Sequence, residues 1–204
     1  MGLHADMVVA AAETYTGLVE FGVGIIPAGA GTKEMTKRVS ELWVKDDVKL
    51  NRLRDAFINI AMAKVATSAE EAFGLGYFQK GKDIVVVNAD RQIATAKRYA
   101  LHMLEDGSTK PVSKKVNVLG QQALGMFLVG TDSLEKGRYA SEHDKKIANK
   151  LAYVMAGGDL SEPTMVSEQY LLDLEREAIL SLLTERKTLE RIEHTLKTGK
   201  PLRN

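Results

Sequence analysis

The sequence contains no cysteine, which excludes disulfide bonds, thiolate metal sites and cysteine nucleophiles. Its formal net charge is only +1, so there is no electrostatic reason to expect binding to nucleic acid or to an anionic membrane surface. No apolar run approaches the roughly 20 residues that a membrane-spanning helix needs, and the first residues lack the basic leader of a signal peptide. These absences predict a cytoplasmic protein with no membrane span and no nucleic-acid partner.

Positive charge is also missing from the first 32 residues, although the rest of the chain is densely charged. The glycine-rich stretch GLVEFGVGIIPAGAGTKEM (17–35) closes this region, and Glu20 is its only carboxylate before Lys33. Burial of a carboxylate among apolar side chains favours the protonated form near neutral pH, which suits proton transfer. Glycines let the backbone approach a ligand and leave N–H groups free to bind oxygen. Glu20 is therefore a candidate catalytic residue, with an exposed loop glutamate as the alternative.

Other patterns with chemical potential have simpler structural explanations. The four histidines are not at metal-ligand spacing, so we predict no metal site and expect His143 to be solvated or to cap a helix. SEHDKK (141–146) matches a first helical turn, with Ser141 and Asp144 as capping partners. DLERE (173–177) is typical of a solvated helix face. GVGIIPAGAG lacks the Walker lysine and the dinucleotide fingerprint, so we expect no nucleotide there.

Hydrophobic periodicity predicts a mainly helical chain with two short strands, at 7–13 and 83–87. Turn formers and basic residues indicate a linker at 106–117 between a first region, 1–105, and a helical region, 118–204. Because two short strands do not make a stable sheet, further strands are expected from another chain or from sequence outside this one. The predicted helices lie at 32–43, 48–66, 68–76, 88–104, 118–130, 141–158, 168–183 and 188–196.

The stretch ETYTGLVEFGVGIIPAGAGTKEM (13–35) resembles the enoyl-CoA hydratase/isomerase, or crotonase, superfamily. The resemblance continues through TSAEEAFGLGYFQKGKDIVVVNADRQIATAKRYA (67–100). The C-terminal segments are similar to the crotonase domain that follows the dehydrogenase in fused 3-hydroxyacyl-CoA dehydrogenase/enoyl-CoA hydratase proteins. The resemblance implies a truncated crotonase/ClpP-like α/β fold, mostly helical with a few short strands, of which this chain is the C-terminal part.

The same resemblance implies that the parent protein hydrates 2-enoyl-CoA to 3-hydroxyacyl-CoA in fatty-acid β-oxidation, with 3-hydroxyacyl-CoA dehydrogenase activity in a fused domain. Glu20 would be one of two catalytic carboxylates, and Pro27, Ala28 and Gly29 would bind substrate, with Ala28 offering its amide to the water. The second carboxylate and the oxyanion hole would lie before Met1. The chain would hold no cofactor, since NAD would bind only in the missing dehydrogenase domain. Its partners would be an acyl-CoA thioester and either further copies of itself or a chain supplying the N-terminal half.

Two alternatives stay open at the level of sequence. The chain is a catalytically inactive helical scaffold or interaction remnant, because hydration needs a polarised thioester carbonyl as well as a base. Alternatively it isomerises 3-enoyl-CoA, a reaction in which a single glutamate can shuttle the proton. Whether the isolated chain is an enzyme is therefore left undecided by the sequence.

Overall fold

The computed structural model describes residues 2–109 and 111–204, and within them the chain is mainly helical. The strands are β1 Val9–Ala11, β2 Thr16–Gly17, β3 Val65–Ala66, β4 Ile84–Val86, β5 Val116–Val118 and β6 Thr164–Val166. The helices are α1 Gly31–Glu41, α2 Lys49–Ala61, α3 Ala69–Gly74, α4 Gln92–Glu105, α5 Gln121–Lys136, α6 Glu142–Ala156, α7 Glu168–Leu183 and α8 Arg186–Thr198. None of the helices in this described part of the chain is long and apolar enough to cross a membrane.

The chain folds into two compact units, each built from two separate stretches of sequence. The first unit comprises the described residues of Met1–Gly17 and Val65–Ser113, and the second comprises Leu18–Lys64 and Lys114–Asn204. The sequence predicts one continuous region over 1–105. In the structure, residues 18–64 of that region belong instead to the same unit as the C-terminal helices. Glu20 and the C-terminal helices therefore belong to the same unit.

The first unit holds two strand pairs and two helices. Strand β1 pairs with β4 in parallel, and β2 pairs with β3 in the antiparallel direction. Asp83 fixes the start of the parallel pair, because its Oδ1 accepts from the Val8 N–H at 2.8 Å and its Oδ2 from the Gln79 N–H at 2.7 Å. Ser68 caps α3 by accepting the Glu71 N–H, as the capping-box spacing predicts.

The second unit has a helical core. Helix α5 packs against α6, and the rings of Phe57 and Phe127 stack with their centroids 4.4 Å apart. On α7, which corresponds to the helix predicted at 168–183, an apolar stripe at helical spacing is buried. Ser141 and Asp144 form the predicted capping box at the start of α6. The stripe of α7 consists of Leu171, Leu174, Ala178 and Leu182.

The structure contradicts the predicted crotonase/ClpP-like α/β fold. The described strands are two or three residues long and pair only in twos, so they form three separate pairs and no continuous sheet. Two of these pairs use strands that the sequence does not predict. Strand β3 at 65–66 falls in the predicted helix 48–66 but lies beyond the end of α2, and β5 at 116–118 covers the end of the predicted linker and the first residue of the predicted helix 118–130. A short apolar run does not distinguish a strand from a buried helix segment, which explains the error.

Candidate functional site

Glu20 begins a short 3-10 turn, Glu20–Val23, that ends at Gly24 in the second unit. The next residue, Phe21, is buried and anchors the turn. The Oε2 atom of Glu20 is buried and has no hydrogen-bond partner among the described residues. Because buried polar atoms in folded proteins nearly always have a partner, this oxygen is an acceptor that a ligand or a water molecule would satisfy.

Helices α6 and α8 hold the end of this turn. Gly24 has a φ of +90°, and a Cβ there would lie 3.2 Å from both Arg191 Cδ and Thr188 Cα, so only glycine fits without movement. The Gly24 carbonyl accepts the Thr188 hydroxyl at 3.0 Å. The same hydroxyl oxygen lies 3.0 Å from Nε2 of His143. The turn is thus fixed by residues far away in sequence.

His143 is buried, contrary to the expectation of a solvated or capping side chain. Burial, together with the neighbouring Arg191 charge, lowers the pKa of His143. A hydroxyl has one proton, and Thr188 gives it to Gly24, so neutral His143 must donate from Nε2. The result is a buried relay of hydrogen bonds from α6 through α8 to the Glu20 turn.

A buried ion pair lies beside this relay. Arg191 is fully buried, and its Nη1 contacts Asp144 Oδ1 at 2.8 Å. Its Nε also donates to the Asn204 side chain at 2.8 Å, which fastens the end of the chain. Burial alone raises the pKa of Asp144, but the Ser141 N–H and Arg191 outweigh it and hold that pKa below its usual value. Asp144 is therefore a structural anion that neutralises the buried Arg191 charge.

The second half of the glycine stretch contains the three predicted substrate-binding residues. Ala28 donates its N–H to the Ile26 carbonyl at 2.8 Å, and the Pro27 carbonyl accepts the Thr32 N–H at 2.9 Å. Gly29 is exposed, and its N–H has no hydrogen-bond partner among the described residues. Gly29 is thus the member of this set whose amide is available to a ligand, while the amide of Ala28 is already engaged.

A buried carboxylate that the sequence places on a solvated face controls the start of α1. Glu175 on α7 is 1% exposed, its Oε2 accepts from the Ala30 N–H at 2.9 Å, and its Oε1 accepts from the Lys33 N–H. It thereby caps a helix whose N-cap, Ala30, has a φ of +67° and no side-chain cap of its own. Burial raises the pKa of Glu175 to about 7, against the opposing effect of these N–H donors.

Helical spacing in the sequence is sufficient to predict that Glu175 is buried. It lies four residues after Leu171 and three before Ala178, which places it within the apolar stripe of α7. Because the other residues of DLERE are mostly charged, the charge pattern alone predicts that the whole segment, including Glu175, is solvated. A carboxylate within a buried stripe needs donors, and here the N-terminus of α1 supplies them.

The first positive charge of the chain is also structural. Lys33 is 5% exposed, and its Nζ lies 3.0 Å from Glu34 and 2.8 Å from Glu168. Burial alone lowers the pKa of Lys33, but the two carboxylates outweigh it and raise that pKa. Lys33 is consequently not available to bind an anionic substrate. The described residues also contain no group of three or more His, Asp or Glu side chains that could hold a metal ion.

Comparison with known proteins gives two relatives, both longer than this chain. The chain is 45% identical over 202 residues to a probable 3-hydroxyacyl-CoA dehydrogenase of Bacillus subtilis (strain 168), a match covering 99% of this chain and 25% of that protein. It is 25% identical over 191 residues to a putative fatty acid oxidation complex trifunctional enzyme of Rickettsia prowazekii (strain Madrid E), covering 94% of this chain and 23% of that protein. The chain spans about a quarter of the length of the curated relatives it matches. No family profile and no solved structure matches it.

These comparisons correct the crotonase recognition and the function derived from it. The 45% identical relative is named for 3-hydroxyacyl-CoA dehydrogenase activity, not for hydration, and no crotonase profile matches. The separate strand pairs do not form a crotonase core either. Hydration of 2-enoyl-CoA is therefore wrong as the predicted function, and the isomerase and scaffold alternatives derived with it are not supported.

Proposed function

We propose that this chain is a segment of a 3-hydroxyacyl-CoA dehydrogenase that acts in fatty acid oxidation. The observation that carries the proposal is the 45% identity over 202 residues to the Bacillus subtilis relative of that name. The name of the Rickettsia prowazekii relative supports the same metabolic role. The substrate would be an acyl-CoA thioester, and the absence of cysteine fits a cytoplasmic location.

We infer that the glycine-rich stretch of this chain does not bind a nicotinamide dinucleotide. A dinucleotide site needs a strand, a glycine turn and a helix whose free N-terminus binds the pyrophosphate. Here the glycine stretch forms a 3-10 turn and a loop, and the Glu175 carboxylate already occupies the N-terminus of α1. A pyrophosphate would meet a competing carboxylate at that position. We therefore propose that NAD, which accepts the hydride in such a reaction, binds outside this chain.

We place the acyl part of the substrate at the Glu20 turn. A 3-hydroxyacyl-CoA carries a hydroxyl group that donates a hydrogen bond and a thioester carbonyl that accepts one. Two groups of the glycine-rich stretch are chemically complementary to these, because Glu20 Oε2 is an unpartnered acceptor and the Gly29 N–H is an unpartnered donor within the described residues. We propose that Glu20 accepts the hydrogen bond of the 3-hydroxyl group and that Gly29 donates to the carbonyl oxygen.

A chimera tests the dehydrogenase proposal directly. The matching quarter of the Bacillus subtilis relative is replaced by this chain, and NADH formation from 3-hydroxybutyryl-CoA is followed at its absorbance band. We expect the chimera to retain activity, and a version in which the segment is deleted to lose it. A folded chimera with no activity, beside an active parent protein, would contradict the proposal.

Glu20→Gln tests the role of the turn within the same chimera. The Gln side chain keeps the shape but replaces one acceptor oxygen with an NH2 donor, so binding of 3-hydroxybutyryl-CoA should weaken by about tenfold. Binding of butyryl-CoA, which has no 3-hydroxyl group, should change little. Glu13→Gln is the matched control because Glu13 is exposed and lies outside the turn. Equal weakening for both thioesters would show that Glu20 does not recognise the hydroxyl group.

We also infer that the first unit packs against another segment of polypeptide in the longer protein. Helix α4 contains no buried residue, and it carries large exposed apolar side chains. Such a patch marks an interaction surface when it is contiguous. Amide hydrogen exchange in α4 should be slower in the chimera than in the isolated chain, and equal exchange rates would contradict this inference. The exposed side chains are Ile93, Leu101 and Leu104.

A further inference from the structure

A cleft of about 560 Å³ lies in the second unit, away from the Glu20 turn in sequence. The connection between α1 and α2 forms one wall, and the first residues of β5 with Met165 of β6 form another. Three lysines and the single tryptophan of the chain line it. These residues are Trp43, Lys45, Lys49 and Lys115.

The cleft has an excess of positive charge that the protein does not neutralise. Within the described residues, none of its three lysines forms an ion pair. Of its two carboxylates, Glu41 is already paired with Lys114 at 3.7 Å, and Asp46 alone is left to oppose the ammonium groups. Helix α2 begins at Lys49 with no side-chain cap and no acidic residue in its first turn, which adds to the positive potential.

The tryptophan adds an unsatisfied donor to this charge. Trp43 Nε1 is buried and has no hydrogen-bond partner in the part of the chain that the structure describes. Buried indole N–H groups normally find an acceptor. The Lys49 ammonium lies 5.5 Å from the centroid of the indole ring, so one cation of the cleft lies over the same side chain.

We propose that this cleft binds a phosphate-bearing small molecule. A phosphate group supplies several acceptor oxygens with negative charge, which matches three ammonium groups and one indole N–H. A cleft of about 560 Å³ has the size of a small-ligand pocket. The near-neutral net charge of the chain, +1, argues against a polyanion such as nucleic acid. The inference rests on this cleft alone and does not depend on the dehydrogenase proposal.

Because Trp43 is the only tryptophan, its fluorescence reports directly on this cleft. The chain is titrated with inorganic pyrophosphate and, separately, with ADP, at constant ionic strength, with sodium chloride as the reference. We expect a saturable fluorescence change with at least one of the two phosphates. Similar dissociation constants identify a phosphate-anion site, and tighter binding of ADP identifies a nucleotide site.

The double variant Lys45→Gln/Lys115→Gln removes two exposed ammonium groups of the cleft without disturbing a described ion pair. Its dissociation constant should rise by about fivefold. Lys97→Gln/Lys200→Gln removes the same charge at exposed positions outside the cleft and should leave the constant unchanged. A fluorescence change that does not saturate, or equal weakening in both double variants, would overturn the proposal.

Discussion

Glu175 makes the stability of the second unit depend on pH in an unusual direction. Its carboxylate is buried at the N-terminus of α1, and burial raises its pKa to about 7, compared with 4.5 in an unfolded chain. The folded protein therefore keeps this proton over a range of pH in which the unfolded chain has lost it. The stabilisation is fully present below pH 4.5 and is lost as the pH rises through about 7.

The size of the effect follows from the difference between the two pKa values. A shift of one pKa unit corresponds to about 1.4 kcal/mol, so this group should lower the free energy of unfolding by about 2.5 kcal/mol between pH 5 and pH 8. Paired carboxylates such as Glu168, whose pKa is lowered to about 2 despite the opposing effect of burial, titrate below this window. His143 acts in the opposite direction within this window, because burial lowers its pKa and the unfolded chain therefore binds its proton more readily than the folded protein does. The Glu175 contribution is consequently the difference between the wild type and a variant that lacks the Glu175 carboxyl group.

Urea unfolding followed by Trp43 fluorescence measures this effect, because Trp43 lies in the same unit. Glu175→Gln removes the titrating group and with it this part of the pH dependence, so the wild type should lose about 2.5 kcal/mol relative to the variant from pH 5 to pH 8. Glu177→Gln, an exposed change on the same helix, should follow the wild type. Parallel curves for wild type and Glu175→Gln would refute the reasoning.

Three further changes test the support of the Glu20 turn, each by urea unfolding followed at Trp43. Gly24→Ala should lower the free energy of unfolding by about 2–3 kcal/mol, because the new Cβ meets Thr188 and Arg191. Gly199 also has a positive φ but has open space around it, so Gly199→Ala should lower the free energy of unfolding by only about 1 kcal/mol. Equal losses in the two variants would exclude the steric explanation. Thr188→Val should lower the free energy of unfolding by about 1–3 kcal/mol, because it leaves the Gly24 carbonyl and His143 without their hydrogen-bond partner. Thr188→Ser keeps the hydroxyl group and should retain most of that stability. Asp144→Asn should cost about 3–5 kcal/mol because it leaves the buried Arg191 charge unpaired; a loss below 1 kcal/mol would show that the Asn204 contacts suffice.

Local signals in the sequence are sufficient to predict most helices and several caps. Ser68 and Ser141 cap the helices that their spacing indicates, and the stripe of α7 lies in the core. The N-terminus of α1 is capped differently, because its N-cap Ala30 has no side-chain acceptor and Glu175 supplies one instead. The acceptor comes from 145 residues away, and no local pattern can identify a cap supplied by tertiary contact.

The candidate site shows the same limit. Glu20 and Gly29 can be selected from the sequence because they lie in one glycine-rich stretch. The burial of His143 cannot be predicted in this way, because it depends on a contact with α8, where Thr188 lies within reach of the His143 ring. Contacts between distant segments decide whether a polar residue is solvated or buried.

The glycine-rich stretch 17–35 is held at two points by helices from the C-terminal part of the chain. Thr188 binds the Gly24 carbonyl across 164 residues, and Glu175 binds the Ala30 N–H across 145. These contacts add to the hydrogen bonds within the stretch, such as the one from the Gly24 N–H to the Phe21 carbonyl at 3.1 Å. Glu20 Oε2 and the Gly29 N–H are left without partners in the described structure. The ligand proposed for these two groups would meet a backbone that is already fixed, so its binding should need little rearrangement of the backbone.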